Sequence, residues 1–360
     1  TVPMAVAGAL FSLWLFNQTW NIFSQIGTVM LIGLVTKNGI LIVEFANQLR
    51  EQGKSKLEAI LEASTQLDFF HPDLDRAYDT KVYMSPISQE WKEINAHCCQ
   101  QGLDYIQYLE ANGEVKALEK YQNVLDEINE AHEALRANLK ERSIELLKLG
   151  KIPAVLGGEH STPLGLIQAL NESYEDFGIL QIDAHADLRD AYEGFSQSHA
   201  SIMFNVLKHA KNMSKLVQVG IRDVSEREVF LSQDSDRVHT FFDWALKDEQ
   251  YQGKTWSEQV NEIIEQLPRN VYVSFDIDGL KPELCPNTGT PVAGGFELQE
   301  ISLLLFRLVE SGRKIIGFDL NEVAPGSTGD WDANVGARAL WQLVCACEKS
   351  RRNHSTHGAI

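Results

Sequence analysis

The sequence predicts an α/β fold, a parallel sheet covered by helices on both faces, and three observations carry that expectation. From about residue 150 onward, short apolar segments of strand length alternate with helical patterns, and strands buried on both faces read as such continuous runs. Three of these runs end directly in acids and histidines, the placement expected where functional side chains gather at the carboxyl ends of parallel strands. A chain of 360 residues, 44 % hydrophobic, is long enough to bury a large core of this kind.

Taken in order, the chain opens on a different composition. Pro3 to Phe16 is almost uninterrupted apolar sequence, and Ile26 to Ala46 is a second such run with Lys37 and Asn38 in its middle. A bilayer span needs about 20 residues, so the second run is long enough to cross and the first is short of it. Buried core helices are the alternative reading; the uniform apolarity, with no polar stripe, favours the membrane. The first run has neither a basic n-region nor a small-residue cleavage site followed by a soluble start, so no signal peptide is expected.

After Lys56 the sequence becomes soluble in character. LEAILEAST reads as a helix and TKVYMSP (Thr80–Pro86) as a short strand, and residues 102–149 carry long amphipathic helical patterning stopped at Gly150. Strands then follow at IPAVLGG, FGILQID, LVQVGIRD, HTFF, NVYVSFDID and KIIGFDL. Helices are expected from Ser161, near 199–211, and over 256–266, 297–311 and 332–349.

Charge and cysteine usage narrow the function classes. Residues 1–58 carry Lys37, Arg50, Lys54 and Lys56 against Glu44, Glu51 and Glu58, a sum of +1, which leaves −19 on the remainder of a chain whose net charge is −18. So acidic a remainder repels nucleic-acid phosphates and suits a cationic substrate or metal ions, although acidity also serves solubility alone. The five cysteines (Cys98, Cys99, Cys285, Cys345, Cys347) form no metal-binding spacing and read as buried thiols of a reducing compartment.

Three strand ends concentrate the chemistry: Gly157-Gly158-Glu159-His160-Ser161, Asp183-Ala184-His185-Ala186-Asp187, and Asp276-Ile277-Asp278. Alternate residues of an extended segment point the same way, so Asp183, His185 and Asp187 can face one centre, as can Asp276 and Asp278. One DxHxD would be weak, being also compatible with a solvated loop. Six side chains, His160, Asp183, His185, Asp187, Asp276 and Asp278, at three strand ends suit a pair of divalent metals, and carboxylates with a minority of imidazoles favour manganese or a similar ion.

The set GGEHS, DAHADLRD, SHAS, SFDIDGLKP and GFDLNEVAP resembles the signature of the arginase and agmatinase (ureohydrolase) family, over about residues 59–360. The resemblance implies a three-layer α/β/α fold and two Mn2+ ions per subunit. One ion would be held by His160, Asp183, Asp187 and Asp276, the other by Asp183, His185, Asp276 and Asp278. It implies hydrolysis of a guanidino C–N bond by a metal-bridging hydroxide, with Glu322 binding the guanidinium, His199 shuttling protons and Asp187 steadying the leaving amine. TGTPVAGGF (Thr288–Phe296) is similar to a loop beside that site, its glycines allowing close backbone approach.

DAHADLRDAYEGFSQSHASIM looks more like agmatinases than arginases, because Leu188, Arg189 and Asp190 stand where arginases place polar groups for the amino-acid head. Agmatine, cleaved to putrescine and urea, is the expected substrate. Arginine remains open, and Arg189 keeps guanidinobutyrate and formiminoglutamate open as well. The family also implies a homo-oligomer, trimer or hexamer, and a cytoplasmic hydrolase.

Residues 1–55, with TKNGILIVEFANQ as the specific stretch, resemble a two-helix fragment of a resistance-nodulation-division (RND) efflux permease. In that family the lysine matching Lys37 pairs with intramembrane aspartates of another helix, which this chain does not supply. The expected organisation is therefore a permease-like fragment over 1–56 and a ureohydrolase domain over 57–360 lacking its usual first strand, joined at 54–60. Any membrane association would run through the fragment. Competing readings are a membrane-tethered scaffold with a vestigial metal site and a transporter subunit.

Overall fold

The computed structural model describes residues 70–71, 76–77, 82–324, 326 and 329–355. The chain divides into two units, Thr1–Val82 and Tyr83–Ile360. Within the first, β1 (Phe70–His71) pairs antiparallel with β2 (Arg76–Ala77). Both permease-like apolar runs, the LEAILEAST helix and the segment that would replace a first strand lie outside the described residues. Among the described residues no helix is long and apolar enough to cross a membrane.

The second unit begins with two helices, α1 (Gln89–Asn112) and α2 (Glu114–Lys148). The patterning over 102–149 is thus two helices rather than one, and the break is at Gly113, whose φ of 84° an L side chain rarely adopts. The strand expected at Thr80–Pro86 is not formed over its described part: residues 82–88 carry no regular structure. Tyr83 is 85 % exposed, with Val82 and Met84 also open to solvent, so among the described residues the β-prone sequence there finds no packing surface that would hold a strand.

Strands and helices then alternate: β3 (Ala154–Leu156), α3 (Leu164–Ser173), β4 (Phe177–Ile182), α4 (Ile202–His209), β5 (Met213–Ile221), α5 (Glu226–Asp234) and β6 (Val238–Phe242). They continue with α6 (Asp243–Tyr251), α7 (Trp256–Glu265), β7 (Asn270–Asp276), α8 (Leu298–Glu310), β8 (Lys314–Asn321) and α9 (Trp331–Ser355). The sequence patterns had not marked α5 and α6. Their aromatics Phe230, Trp244 and Tyr251 point outward, so neither helix shows the apolar stripe that reveals its neighbours. Capping boxes start several of these helices; Thr255 and Glu258 each bond the other's backbone amide at the head of α7.

Among the described residues six strands form one sheet in the order β3-β8-β7-β4-β5-β6, every pair parallel. Apolar clusters cover both faces. Leu180, Val217, Val273 and Phe275 pack with α7, α8 and α9 on one side, and Ile179, Leu216 and Tyr272 with α3 and α4 on the other. From β4 the chain winds outward through β5 to β6, then returns to lay β7 on the opposite side of β4. That reversal opens a crevice at the carboxyl ends of β4 and β7, where ligand sites of open α/β sheets form. Of the five cysteines, Cys285, Cys345 and Cys347 are buried, but Cys98 is half-buried and Cys99 exposed, a correction traceable to their place on α1, whose only buried residue is Tyr105.

Candidate metal centre and active site

The crevice collects the predicted acids and histidines from three strand ends. His160 lies in the loop after β3, Asp183 and His185 follow β4, and Asp276 closes β7, with Asp278 in the turn beyond it. Two groups of potential ligands result, His160 with Asp183 and Asp276, and Asp183 with His185 and Asp278; within each the ligand atoms lie within 4.8 Å of one another. Asp183 belongs to both. Asp187 also reaches in, its Oδ2 3.1 Å from His160 Nδ1.

The histidines fix which atoms face the centre. His160 Nε2 is 2.9 Å from Ser274 Oγ, and that hydroxyl donates to Asp319 Oδ1 at 3.1 Å. With the serine hydrogen committed to a carboxylate, Nε2 must be the donor, so Nδ1 is the nitrogen left to take a metal or a second proton. Nδ1 is buried without a hydrogen bond, facing Asp183 and Asp187 at 3.1 Å and Asp276 at 3.2 Å. Burial alone would lower this imidazole, but Asp183, Asp187 and Asp276 outweigh it and raise it well above its ordinary range, so the three carboxylates face Nδ1 across a position that a proton or a metal cation fills. Neighbouring ligands of an octahedral dication bound at about 2.1 Å stand about 3 Å apart, the spacing seen here. On the other side His185 Nδ1 is 3.0 Å from Asp278 Oδ2 and 3.6 Å from Asp183 Oδ1.

Backbone amides hold the carboxylates in place: Asp183 Oδ1 accepts from His185 N at 2.7 Å, Asp276 Oδ1 from Asp278 N at 2.9 Å, and Asp278 Oδ1 from Ala184 N at 3.0 Å. So much buried negative charge disturbs every proton equilibrium. Burial and the neighbouring Asp183 push the Asp187 carboxyl up to about 7, and burial, with Asp278 and Asp183, raises Asp276 well above the carboxylate range. Burial alone would lower His185, but Asp183 and Asp278 outweigh it and push the imidazole up to about 11. Four carboxylates and two imidazoles with all-N/O donors fit two hard divalent cations in number, charge and chemistry.

Glu322 and His199 stand beside this cluster. Glu322 Oε1 accepts from His160 N at 2.9 Å, and burial raises its carboxyl, with the Glu159 charge adding to the effect. His199 Nδ1 lies 3.4 Å from Glu159 Oε1, and the bond to Glu159 raises its imidazole, with Asp187 and Glu322 contributing through their charge. Asp187 and Glu322 also adopt left-handed backbone, φ 55° and 62°. Non-glycine residues held there store strain that clusters at functional sites. Asp187 is fixed by its carbonyl, which accepts from Met203 and Phe204 at the start of α4.

Residues 58–346 match the arginase family. The chain belongs to that family. It is 32 % identical over 209 residues to the N(1)-aminopropylagmatine ureohydrolase of Thermus thermophilus, covering 56 % of this chain and 64 % of that protein. It is 30 % identical to the agmatinase of Bacillus subtilis, over 75 % of this chain and 97 % of that protein. The crystal structure of the agmatine ureohydrolase of Thermoplasma volcanium superposes with a TM-score of 0.53 at 28 % identity, covering 62 % of this chain and 71 % of that one. Residues 1–67 match the AcrB/AcrD/AcrF family, in line with the efflux-permease resemblance of TKNGILIVEFANQ.

In this arginase-family domain the Thr288–Phe296 loop reaches the cluster, where its resemblance to a family loop implies it lies. Thr290 Oγ1 is 3.4 Å from Asp278 Oδ2, and a Cβ on Gly295 would come within 2.8 Å of Leu280 O. Ser274 and Asp319, which orient His160, were not anticipated, although the alternation that aligns Asp276 with Asp278 also runs back to Ser274. Arg189, thought able to meet an anionic substrate, is 3.7 Å from Glu228 and lies over the Tyr192 ring at 4.9 Å.

Proposed function

We propose that the chain hydrolyses a cationic guanidino compound to urea and an amine, with agmatine to putrescine the favoured reaction. The observation that carries this reading is the pair of acid–histidine groups sharing Asp183, flanked by Glu322 and His199. His160, Asp183, Asp187 and Asp276 would hold one Mn2+, and Asp183, His185, Asp276 and Asp278 the other. When bound there, two such ions would supply the acidity that makes water a nucleophile at neutral pH. Glu322, next to the cluster, would bind the guanidinium by a charge-assisted contact and orient it beside the acids and histidines of the crevice. His199, its imidazole raised by Glu159, delivers a proton to the departing nitrogen as the C–N bond breaks, and Asp187 steadies that amine.

The engagement of Arg189 by Glu228 and Tyr192 favours a cationic substrate over guanidinobutyrate or formiminoglutamate. The names of the relatives favour agmatine and N(1)-aminopropylagmatine over arginine. A homo-oligomer, trimer or hexamer, is the expected assembly, with the catalytic unit beginning near residue 57. The test is urea release from a panel of these compounds by the full chain with Mn2+. Agmatine or its aminopropyl derivative should turn over best and Asp183→Asn should abolish urea; undiminished urea from that variant would sink the proposal.

A further inference from the structure

One row across the sheet is polar where the row beneath it is apolar. Asp319, Ser274, Gln181, Gln218 and Thr240 stand side by side on β8, β7, β4, β5 and β6, two residues beyond an apolar layer that includes Tyr272, Ile179 and Leu216. Gln181 and Gln218 are fully buried, which destabilises unless every amide group finds a partner. Here each does, and in one direction. Thr240 Oγ1 donates to Gln218 Oε1 at 2.8 Å, and Gln218 Nε2 donates to Gln181 Oε1 and to the Ala186 carbonyl, both at 2.7 Å. Gln181 Nε2 donates in turn to the His185 carbonyl at 3.2 Å and to Asp183 Oδ2 at 2.9 Å.

The sense of the chain is forced. The carbonyls of Ala186 and His185 can only accept, so each amide must turn its nitrogen toward them and neither can flip. The last donor therefore always points at Asp183 Oδ2, the oxygen 3.1 Å from His160 Nδ1, on the residue where the two close-packed acid–histidine groups meet. Apolar side chains would fill the same space but leave the Ala186 and His185 carbonyls without these donors, so the glutamines hold the loop after β4 as well as the carboxylate within it.

We propose that Gln181 and Gln218 are positioning residues: a one-way hydrogen-bond relay from Thr240 fixes the Asp183 carboxylate for metal binding. The inference rests on the metal-dependent hydrolase reading above. Its test is a calorimetric Mn2+ titration of the metal-stripped full chain, with folding checked by circular dichroism. Gln181→Leu should weaken Mn2+ binding about tenfold, and Gln218→Met, which touches no ligand, about threefold. The double variant should bind no more weakly than Gln181→Leu, because the link to Asp183 is already cut. Additive losses, or wild-type affinity in both single variants, would overturn the relay and leave the hydrolase reading standing. Should Gln181→Leu fail to fold, Thr240→Val on the outer strand carries the test, and unchanged affinity there removes the relay's first step. A wild-type chain that binds no Mn2+ would remove the underlying reading together with the relay.

Discussion

At the scale of single residues, the centre is assembled from side chains whose ordinary acid–base behaviour is suspended by their neighbours. Glu322 illustrates the division of labour: it belongs to neither ligand group, yet its Oε1 is tied to the His160 amide, so its position depends on the same loop that delivers a ligand. Replacing it with Gln keeps that hydrogen bond and removes the charge. A hydrogen bond to a charged group contributes about 1.5–3 kcal/mol, so kcat/KM should fall roughly 10- to 100-fold while Mn2+ content is unchanged. Steady-state kinetics with metal analysis of the same sample checks this; lost metal would instead make Glu322 part of the centre. The groups named from the sequence were those in acid–histidine motifs at strand ends, where spacing alone announces convergence. Ser274, Asp319 and the two glutamines escaped because their roles depend on register between strands far apart in the chain, which no local pattern encodes.

At the scale of elements, the same contrast explains which parts of the fold were legible. Strands such as β4 and β7, buried along nearly their whole length, read as apolar runs, and α7 and α8 read from their amphipathic stripes and caps. Helices α5 and α6 did not, since their large aromatics face solvent, and the Thr80–Pro86 strand was read from β-prone residues that find no packing surface among the described residues. Contacts between elements are invisible to local patterning, and the packing of α2 on α3 is one such case. An added Cβ at Gly165 would sit 2.3 Å from Arg136 O and 3.0 Å from Leu139 Cβ, so the two helices approach through a gap only glycine leaves. Gly165→Ala should force them apart and cost about 1–3 kcal/mol, as overpacking does. Urea denaturation should show a lower midpoint with an unchanged slope, whereas an unaltered midpoint would mean that α2 moves freely.

At the scale of the whole molecule, the centre ties together strand ends that lie over a hundred residues apart in sequence, so its proton and metal equilibria are linked to global unfolding. Asp187, at about 7 in the fold against an ordinary 3.8, binds its proton more tightly folded than unfolded. Its contribution to stability is therefore complete below 3.8 and lost as pH rises through about 7. His185, raised from 6.5 to about 11 by the aspartates that overcome its burial, has the same sign: its contribution is complete below 6.5 and lost toward 11. Asp183, lowered by His160 and His185 against the effect of burial, acts oppositely and loses its contribution as pH falls below 3.8. The metal-free chain should accordingly lose stability at this centre as pH rises from about 5 to 8, the window in which deprotonated ligands become available to a dication. At a fixed Mn2+ concentration the Kd should fall as these ligands deprotonate, reaching about 2.7 kcal/mol of stabilisation where the concentration is 100 times Kd, so the gap in melting temperature with and without Mn2+ should widen steadily across that window. Potassium at equal ionic strength should not reproduce it, because screening alone does not occupy a buried ligand set. A gap that stays constant from pH 5 to 8 would show that the acids and imidazoles of the crevice do not exchange protons for metal.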